Sequence, residues 1–407
     1  MSSQGTRRGW SGDARLVEVA YEAGVSTATA GRALGGYGQV SDAARAKVRL
    51  AAERLGYRPN VLARSLIRGV TQTIGAVVTD IGTPFFARAV RGISDSARSA
   101  GYEVLLSNTD GDPSAEERAL RVLEEKRADG VIVAPSDPAA VDAARRLLEG
   151  GTPVVALDRR LSGLRGADSV LLDNRKAARE AVAYLIALGH RRIAVLSEGS
   201  LERALAATET RDVVRERPSV ARVAGYLCAL REAGLEVDPD LVLHSAYDRI
   251  EAVQVVGDFL SRGDRASALF CTDALLSTGA FTAVRESGLA CPEELSFIAF
   301  DDQEWTQLVR PRLTVVSQPA YEIGAAAVGL LLRRIRNLVE GGGEVPQGGS
   351  APRWSRSVHE QLRSKLVIRE SVQAWEGDSI VAALQPAPTA ARPERVPSQR
   401  SPGSTKG

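Results

Sequence analysis

Short runs of β-branched and aliphatic residues alternate with helical patterns from Thr73 almost to the end of the chain. Between two of these runs, Phe86, Val90, Ile93 and Ala97 recur at the spacing of one helical face. Such alternation is typical of parallel sheets covered by helices on both sides. Because about 300 residues exceed what one layered domain usually holds, we predict an α/β core of two doubly wound parallel-sheet subdomains. The runs are IGAVV (74–78), VLL (104–106), VIVA (131–134), VVAL (154–157), VLL (170–172), IAVL (193–196), ALFC (268–271), FIAF (297–300), TVV (314–316) and LVI (366–368).

A different pattern precedes the first strand, in LVEVAYEAGVSTATAGRAL at residues 16–34. Four apolar residues recur at i, i+3, i+4 and i+7, which predicts a short helix. Gly24 then allows a left-handed corner, and Ser26 stands where an N-cap accepts an amide of a second helix. This arrangement is typical of a helix-turn-helix whose second helix enters the DNA major groove. The apolar set is Leu16, Val19, Ala20 and Ala23, with Ala30, Ala33 and Leu34 turned inward on the second helix.

An ordinary helical hairpin would show much of the same spacing, and the charge distribution decides between the two readings. Residues 1–68 contain eleven Lys/Arg against five Asp/Glu, a net charge of +6. Residues 69–371 contain 37 against 42, a net charge of −5. A basic head on an acidic body favours DNA binding, because phosphate neutralisation dominates affinity. Ser41 is expected to cap a third helix from Asp42 to Leu55 that closes the core of this all-α head.

Other classes of protein find no support in the sequence. The three Cys residues are widely spaced in apolar runs, which predicts free buried thiols, and the three His residues show no metal-ligand spacing. We expect no metal, no cofactor and no catalytic residue, because no Walker loop, GxSxG or HExxH motif is present. No run is long enough to span a membrane and no signal peptide is visible. The expected location is therefore the cytoplasm, on the nucleoid.

Three further sequence stretches are typical of a known protein family. GVSTAT, LGYRPN and ARSL occur in this order, followed by TIGAVVTDIGTPFF. Together they resemble the lactose/galactose-repressor (LacI/GalR) family of bacterial transcriptional regulators, over roughly residues 14–371. The resemblance implies an N-terminal helix-turn-helix head on a core like that of periplasmic sugar-binding proteins. Three residues depart from the family pattern, Ala30 and Gly31 in the reading helix and Gly35 after it.

The resemblance also implies a division of the chain. We expect a disordered arm (1–13), a helix-turn-helix DNA-binding domain (14–59), a hinge helix with its linker (60–72), a core (73–371) and a disordered tail (372–407). The N-subdomain would comprise about 73–172 and 319–345, and the C-subdomain about 173–318 and 365–371. Apolar faces at Phe86–Ala97 and Ala274–Val284 are candidate surfaces for a homodimer.

The resemblance implies a transcriptional regulator bound to double-stranded operator DNA, and we expect it to be a repressor. Arg32 and the pair Thr27 and Ala28 are expected to read bases, with Ser26 contacting the backbone. The hinge segment is too short to hold a helix alone, and in the family it orders on DNA. Its Leu66 would wedge into the minor groove at the central base step. The remaining DNA-contact candidates are Tyr57, Asn60 and Ala63.

A small molecule, sugar-like by the resemblance, is expected in the cleft between the two core subdomains, at the carboxyl ends of strands. Arg222 and Asp301 match the family's cleft arginine and carboxylate. Asp158 and Asp301 could instead be N-caps of the helices that follow them, and Phe85 and Phe86 could instead be core residues. The further candidates are Phe85, Phe86, Asp158, Tyr247, Thr272 and Gln318.

Two enlarged segments, around 198–219 and 340–361, leave the fold unchanged but are placed to alter the effector. The alternatives to a sugar-responsive regulator are a family member without an effector and one that responds to a non-sugar ligand such as a nucleoside.

Overall fold

The computed structural model describes residues 14–35, 38–57, 70–209, 217–262, 266–340, 354 and 356–376. The chain forms two compact units. Of the described residues, the first unit contains those up to Asp173, residues 217–218 and Gln318–Ser364, apart from the gaps given above. The second begins at Asn174 and contains Ser219–Ser317 and the chain from Lys365.

Each unit is built on a six-stranded sheet. In the first unit the strand order is β11-β5-β4-β3-β1-β2, with every neighbouring pair parallel. In the second the order is β12-β10-β9-β8-β6-β7, parallel except for the pair β10 and β12. The strands are β1 Thr73–Val78, β2 Glu103–Asn108, β3 Gly130–Val133, β4 Val154–Leu157, β5 Asp168–Leu172, β6 Ile193–Ser197, β7 Val242–His244, β8 Ala268–Cys271, β9 Ser296–Phe300, β10 Thr314–Ser317, β11 His359–Leu362 and β12 Lys365–Val367.

Helices cover both faces of the first sheet, whose inner strands β1, β3, β4 and β5 are buried along almost their whole length. Alternate residues of β1 enter two different cores, Ile74 and Ala76 on one side and Val77 on the other. One face of the second sheet packs against α10 and α11. The helices are α1 Leu16–Glu22, α2 Thr27–Gly35, α3 Asp42–Arg54, α4 Pro84–Ser99, α5 Pro113–Glu125, α6 Asp142–Glu149, α7 Asn174–Ala187, α8 Leu201–Glu209, α9 Pro218–Glu232, α10 Arg249–Leu260, α11 Ala274–Glu286, α12 Trp305–Leu308 and α13 Ala320–Glu340.

All ten predicted strand runs lie on strands, and the prediction of two doubly wound sheets is confirmed. Two of the described strands, β7 and β11, are not among these runs, and β11, at the end of the second enlarged segment, pairs in parallel with β5. Its sequence, His-Glu-Gln-Leu, lacks the β-branched residues that mark strands.

The first enlarged segment contains a helix, α8. α8 buries Ala204 and Ala207, and Arg175 donates from Nη1 to the Ala207 carbonyl at 3.1 Å. The residues 210–216 that follow lie outside the described part of the chain.

The chain also stays in the fold beyond residue 371, where the tail was predicted to begin. The Trp375 amide donates to the Leu188 carbonyl at 2.8 Å, and the Trp375 ring stacks on His190. From residue 377 onward the predicted tail lies outside the described residues, as does the predicted arm at 1–13.

The proposed dimer faces were wrong. Phe86, Ile93 and Ala97 on α4 are buried in the core of their own unit, which they share with α13. The run Ala274–Val284 is α11, and its apolar residues fill the core of the second unit against α10 and the sheet. The spacing that suggested an interface therefore marks the inward faces of these two helices.

Candidate functional site

The head consists of the three predicted helices packed around small apolar side chains. Gly24 adopts φ +65, the left-handed corner expected between α1 and α2. Ser26 caps α2 as predicted, since its Oγ accepts the Thr29 amide at 3.2 Å. Ser41 caps α3, with its Oγ accepting the Ala44 amide at 3.3 Å. The head core comprises Val19, Ala20, Ala23, Ala30, Ala33, Val48, Ala51 and Ala52.

The outer side of α2 carries the predicted base-reading residues. Ser26, Thr27, Ala28 and Arg32 are all exposed, while Ala30 and Ala33 on the other side are buried. Arg32 points an Nη2 toward Thr29 Oγ1 at 3.4 Å. Apart from Arg32, the side chains of this face are short, which suits close approach to base edges.

Tyr57 differs from the other head candidates. Its amide donates to the Ala52 carbonyl at 2.9 Å, and its ring is partly buried against the head core. Most of this side chain therefore serves packing. Asn60, Ala63 and Leu66, the predicted hinge contacts, lie outside the described residues.

In the second unit, three neighbouring parallel strands end beside one another and each is followed by an acidic residue. Glu198 follows β6, Thr272 and Asp273 follow β8, and Asp301 follows β9. Because carboxyl ends of parallel strands share one edge of the sheet, these side chains gather at that edge. The electrostatic coupling agrees, since Glu198, Asp301 and Arg222 all act on the pKa of Asp273.

Arg222, on α9, is the cation of this cluster and is 5% exposed. Its Nε donates to Asn174 Oδ1 at 2.8 Å and its Nη1 to the Thr272 carbonyl at 2.7 Å. The guanidinium carbon lies 3.8 Å from the centroid of the Phe300 ring, a cation–π contact. Sequence reasoning named Arg222 but missed Asn174, Asp273 and Phe300.

Asp273 carries the strongest electrostatic perturbation in this cluster. Its pKa is raised to about 6, chiefly by burial, and the Asp301 and Glu198 carboxylates act in the same direction. Arg222 and the Leu275 amide oppose that rise. The same carboxylate caps α11, accepting the Leu275 amide at 2.7 Å.

The Thr272 side chain is not placed as an effector ligand. It has no exposed surface, and its hydroxyl lies 3.1 Å from the Leu196 carbonyl and 2.9 Å from Ser197 Oγ. It contributes to the cluster through its carbonyl, which Arg222 uses. The prediction that the Thr272 side chain binds the effector is therefore unsupported by the geometry.

The N-cap reading of Asp301 is wrong, because the next helix, α12, starts at Trp305 with Glu304 in the cap position. Asp301 instead has φ +70, and its amide donates to the Val316 carbonyl at 2.9 Å. Tyr247, which follows β7, is 42% exposed and thus accessible.

In the first unit, Asp158 follows β4 with φ +65 and precedes a loop that leads to β5, so it caps no helix. Its neighbour Arg159 donates from Nη1 to the Pro135 and Ser136 carbonyls, each at 3.2 Å. Arg159 therefore fixes the loop after β3 beside Asp158.

Of the two aromatic candidates, Phe86 lies in the core and is only 7% exposed. Phe85 is partly buried, and its ring packs edge to face on that of Phe86 with the ring centroids 5.0 Å apart. Gln318 is half-buried and directly follows β10.

Within the described residues no group of three or more His, Cys, Asp or Glu side chains is arranged to hold a metal ion. The described helices also include none with the length and apolar character needed to cross a membrane.

In the comparison with known proteins, one family profile matches the core and another matches the head. The family profile for periplasmic binding proteins and the sugar binding domain of the LacI family matches residues 71–361, and the profile for bacterial regulatory proteins of the lacI family matches residues 15–60. Catabolite control protein A of Priestia megaterium is 34% identical over 318 residues, covering 78% of this chain and 91% of that protein. The HTH-type transcriptional repressor CytR of Escherichia coli (strain K12) is 32% identical, covering 81% and 92%.

Solved structures extend the likeness. The transcriptional regulator CelR in complex with cellobiose is 28% identical with a TM-score of 0.60, covering 88% of this chain and 99% of that one. The lac repressor dimer bound to operator and the anti-inducer ONPF shares the fold at 24% identity with a TM-score of 0.71, covering 89% and 100%. With a matching profile over most of its length and relatives above 30% identity, the chain belongs to the LacI family of bacterial transcriptional regulators.

Proposed function

We propose that this protein is a sequence-specific transcriptional repressor whose affinity for operator DNA is controlled by a small molecule bound in the core. The observation that carries the proposal is the presence, in one chain, of an exposed capped reading helix and a buried arginine among three strand-end carboxylates. The first suits base edges, and the second suits a neutral ligand rich in hydroxyl groups, which both donate and accept hydrogen bonds.

The relatives support both parts of the proposal, transcriptional repression and the binding of a small molecule in the core. Those named above are repressors or control proteins, and one neighbour holds cellobiose. A further neighbour, a LacI family regulator from Enterococcus faecium, holds ribose. A sugar or sugar derivative is therefore the effector class that we favour, with a nucleoside as the alternative that the same screen examines. The relatives are regulators, and we propose no catalytic activity for this chain.

We propose in addition that the protein binds a pseudo-palindromic operator as a homodimer, because one head reads only a short half-site. Analytical ultracentrifugation at micromolar concentration checks the oligomeric state. A monomer with full operator affinity would overturn this part of the proposal.

The effector is tested by thermal shift across sugars and nucleosides, since a ligand that binds only the folded state raises the melting temperature. Operator affinity is then measured by fluorescence anisotropy at fixed salt, using sites selected from random DNA. Arg222→Ala is expected to retain operator binding without ligand and to lose the response to it. Arg231→Ala, an exposed position on the same helix, is the matched control. If no compound shifts wild-type melting or operator affinity, the regulator without an effector is the correct description.

A further inference from the structure

The planar guanidinium of Arg222 is held on two edges and one face by the protein itself. Asn174 accepts its Nε at 2.8 Å, the Thr272 carbonyl accepts its Nη1 at 2.7 Å, and Phe300 covers one face at 3.8 Å. An arginine presents five N–H donors in a rigid fork. Within the described residues its remaining nitrogen, Nη2, makes no hydrogen bond to the protein.

The Asn174 contact depends on a close approach of two helices. Asn174 is the first residue of α7, and Arg222 lies on α9 one turn before Gly225. A Cβ placed on Gly225 would come within 2.2 Å of the Arg175 carbonyl oxygen and 3.0 Å of the Arg179 amide. Only glycine therefore lets α9 lie close enough to α7 for the Arg222 side chain to reach the start of that helix.

Asn174 is 7% exposed, and its carboxamide oxygen is an acceptor for a charged donor in a largely dry environment. A hydrogen bond to a charged group in such a place contributes about 1.5–3 kcal/mol. The direction of this hydrogen bond matters as much as its strength, because it helps to orient the guanidinium. With Nε and Nη1 both engaged, the guanidinium plane is fixed and Nη2 has one orientation.

We propose that Asn174 is a positioning residue for effector recognition, holding the Arg222 fork so that Nη2 is presented to a hydroxyl or carbonyl oxygen of the ligand. This inference rests on the proposed function of the core as an effector-binding domain. It assigns to Thr272 a role through its carbonyl and to Phe300 a role as the platform for the guanidinium.

The test compares two substitutions of the same size. Asn174→Asp keeps the acceptor oxygen, whereas Asn174→Leu keeps the volume and removes it. The probe is the compound that gives the largest thermal shift with wild-type protein in a panel containing cellobiose, ribose, adenosine and cytidine. Asn174→Leu is expected to weaken its binding by about 10- to 100-fold, the equivalent of the lost charged hydrogen bond. Asn174→Asp should remain within about threefold of wild type, and both should bind operator without ligand as wild type does.

A second measurement does not depend on any ligand. The Arg222 Nε–H resonance, assigned by its loss in Arg222→Lys, should exchange slowly with water in wild type and Asn174→Asp and quickly in Asn174→Leu. If no panel compound binds wild-type protein, the proposed function fails while this exchange still tests the geometry. The positioning role is overturned if Asn174→Leu leaves both exchange and binding unchanged. It is also overturned if both variants lose binding together with operator affinity and melting temperature, since that result means a purely structural role.

Discussion

Asp273 is a residue whose charge works against the stability of the fold. It lies at the end of β8 and caps α11, yet burial and two neighbouring carboxylates raise its pKa from 3.8 to about 6. The folded protein therefore holds this proton more tightly than the unfolded chain does. We predict that Asp273→Asn stabilises the protein at neutral pH, because asparagine retains the capping oxygen and carries no charge.

The magnitude follows from the two pKa values. At 1.36 kcal/mol per pKa unit, a rise from 3.8 to about 6 corresponds to about 3 kcal/mol. Since Asp273 is half-buried and solvent screens part of this cost, we expect about 1–3 kcal/mol. The sign is fixed by linkage. Below pH 4 both states are protonated and the charge costs nothing, whereas between pH 4 and 6 the unfolded state ionises first and wild-type stability falls.

The assay is urea unfolding of wild type and Asp273→Asn at several values between pH 4 and 7.5, followed by circular dichroism. The difference in unfolding free energy should grow across pH 4–6 and level off above it. Asp258→Asn, an exposed position on α10, serves as the matched control and should show no such growth. A difference between wild type and Asp273→Asn that is independent of pH, or a less stable variant at pH 7.5, would refute the reasoning.

Three other substitutions test other parts of the molecule. Arg32→Ala should flatten the preference at one base pair per half-site by about 1–3 kcal/mol in anisotropy titrations of single-base operator variants, whereas equal weakening on every sequence would mean that it contacts phosphate alone. Leu66→Gly should lower operator affinity far more than affinity for random DNA, because it removes the wedge and leaves the basic charges, and equal losses would reduce the hinge to a tether. Asp168→Ala should lower the unfolding free energy by about 3–5 kcal/mol in urea, because it leaves the buried Arg334 guanidinium without its carboxylate, and a loss below about 1 kcal/mol would contradict this.

The inner strands of both sheets could be predicted from sequence because they are buried on both faces and so consist of continuous apolar runs. β11 could not, since it is an edge strand of polar residues, and pairing with β5 rather than composition makes it extended. The helix α8 was predictable in retrospect. Leu201, Ala204 and Ala207 recur at helical spacing in a stretch of good helix formers. The many charged residues around them obscure this apolar spacing.

The residues of the candidate site also divide into those that could be predicted from the sequence and those that could not. Residues that stand directly after a strand, such as Asp301, were found because the end of an apolar run is visible in the sequence. Asn174 and Phe300 were missed because they act on Arg222, and the contact from Asn174 spans 48 residues of sequence. Phe86 was misplaced for the opposite reason, since an aromatic side chain at the start of a helix looks the same whether it faces a ligand or the core.

The two units repeat one arrangement that no stretch of sequence makes obvious. β1 to β5 and β6 to β10 have the same order in their sheets, so β4 corresponds to β9. Each of these strands is followed by an aspartate in the left-handed region, Asp158 with φ +65 and Asp301 with φ +70. In each case the aspartate amide donates to the neighbouring strand, to the carbonyls of Val170 and Val316.

Aspartate tolerates this conformation better than most residues, but glycine would adopt it with less strain. A strained backbone that holds a carboxylate at the carboxyl edge of both sheets has no advantage for folding, and strain of about 1–3 kcal/mol persists mainly where function requires it. The raised pKa of Asp273 imposes a cost at the same edge of the second sheet. Three carboxylates are thus each kept at the expense of stability, which is the pattern expected when ligand binding rather than packing sets the residue type. If the proposed effector binds at these carboxylates, its hydroxyl groups would donate to their oxygens and so return part of that cost.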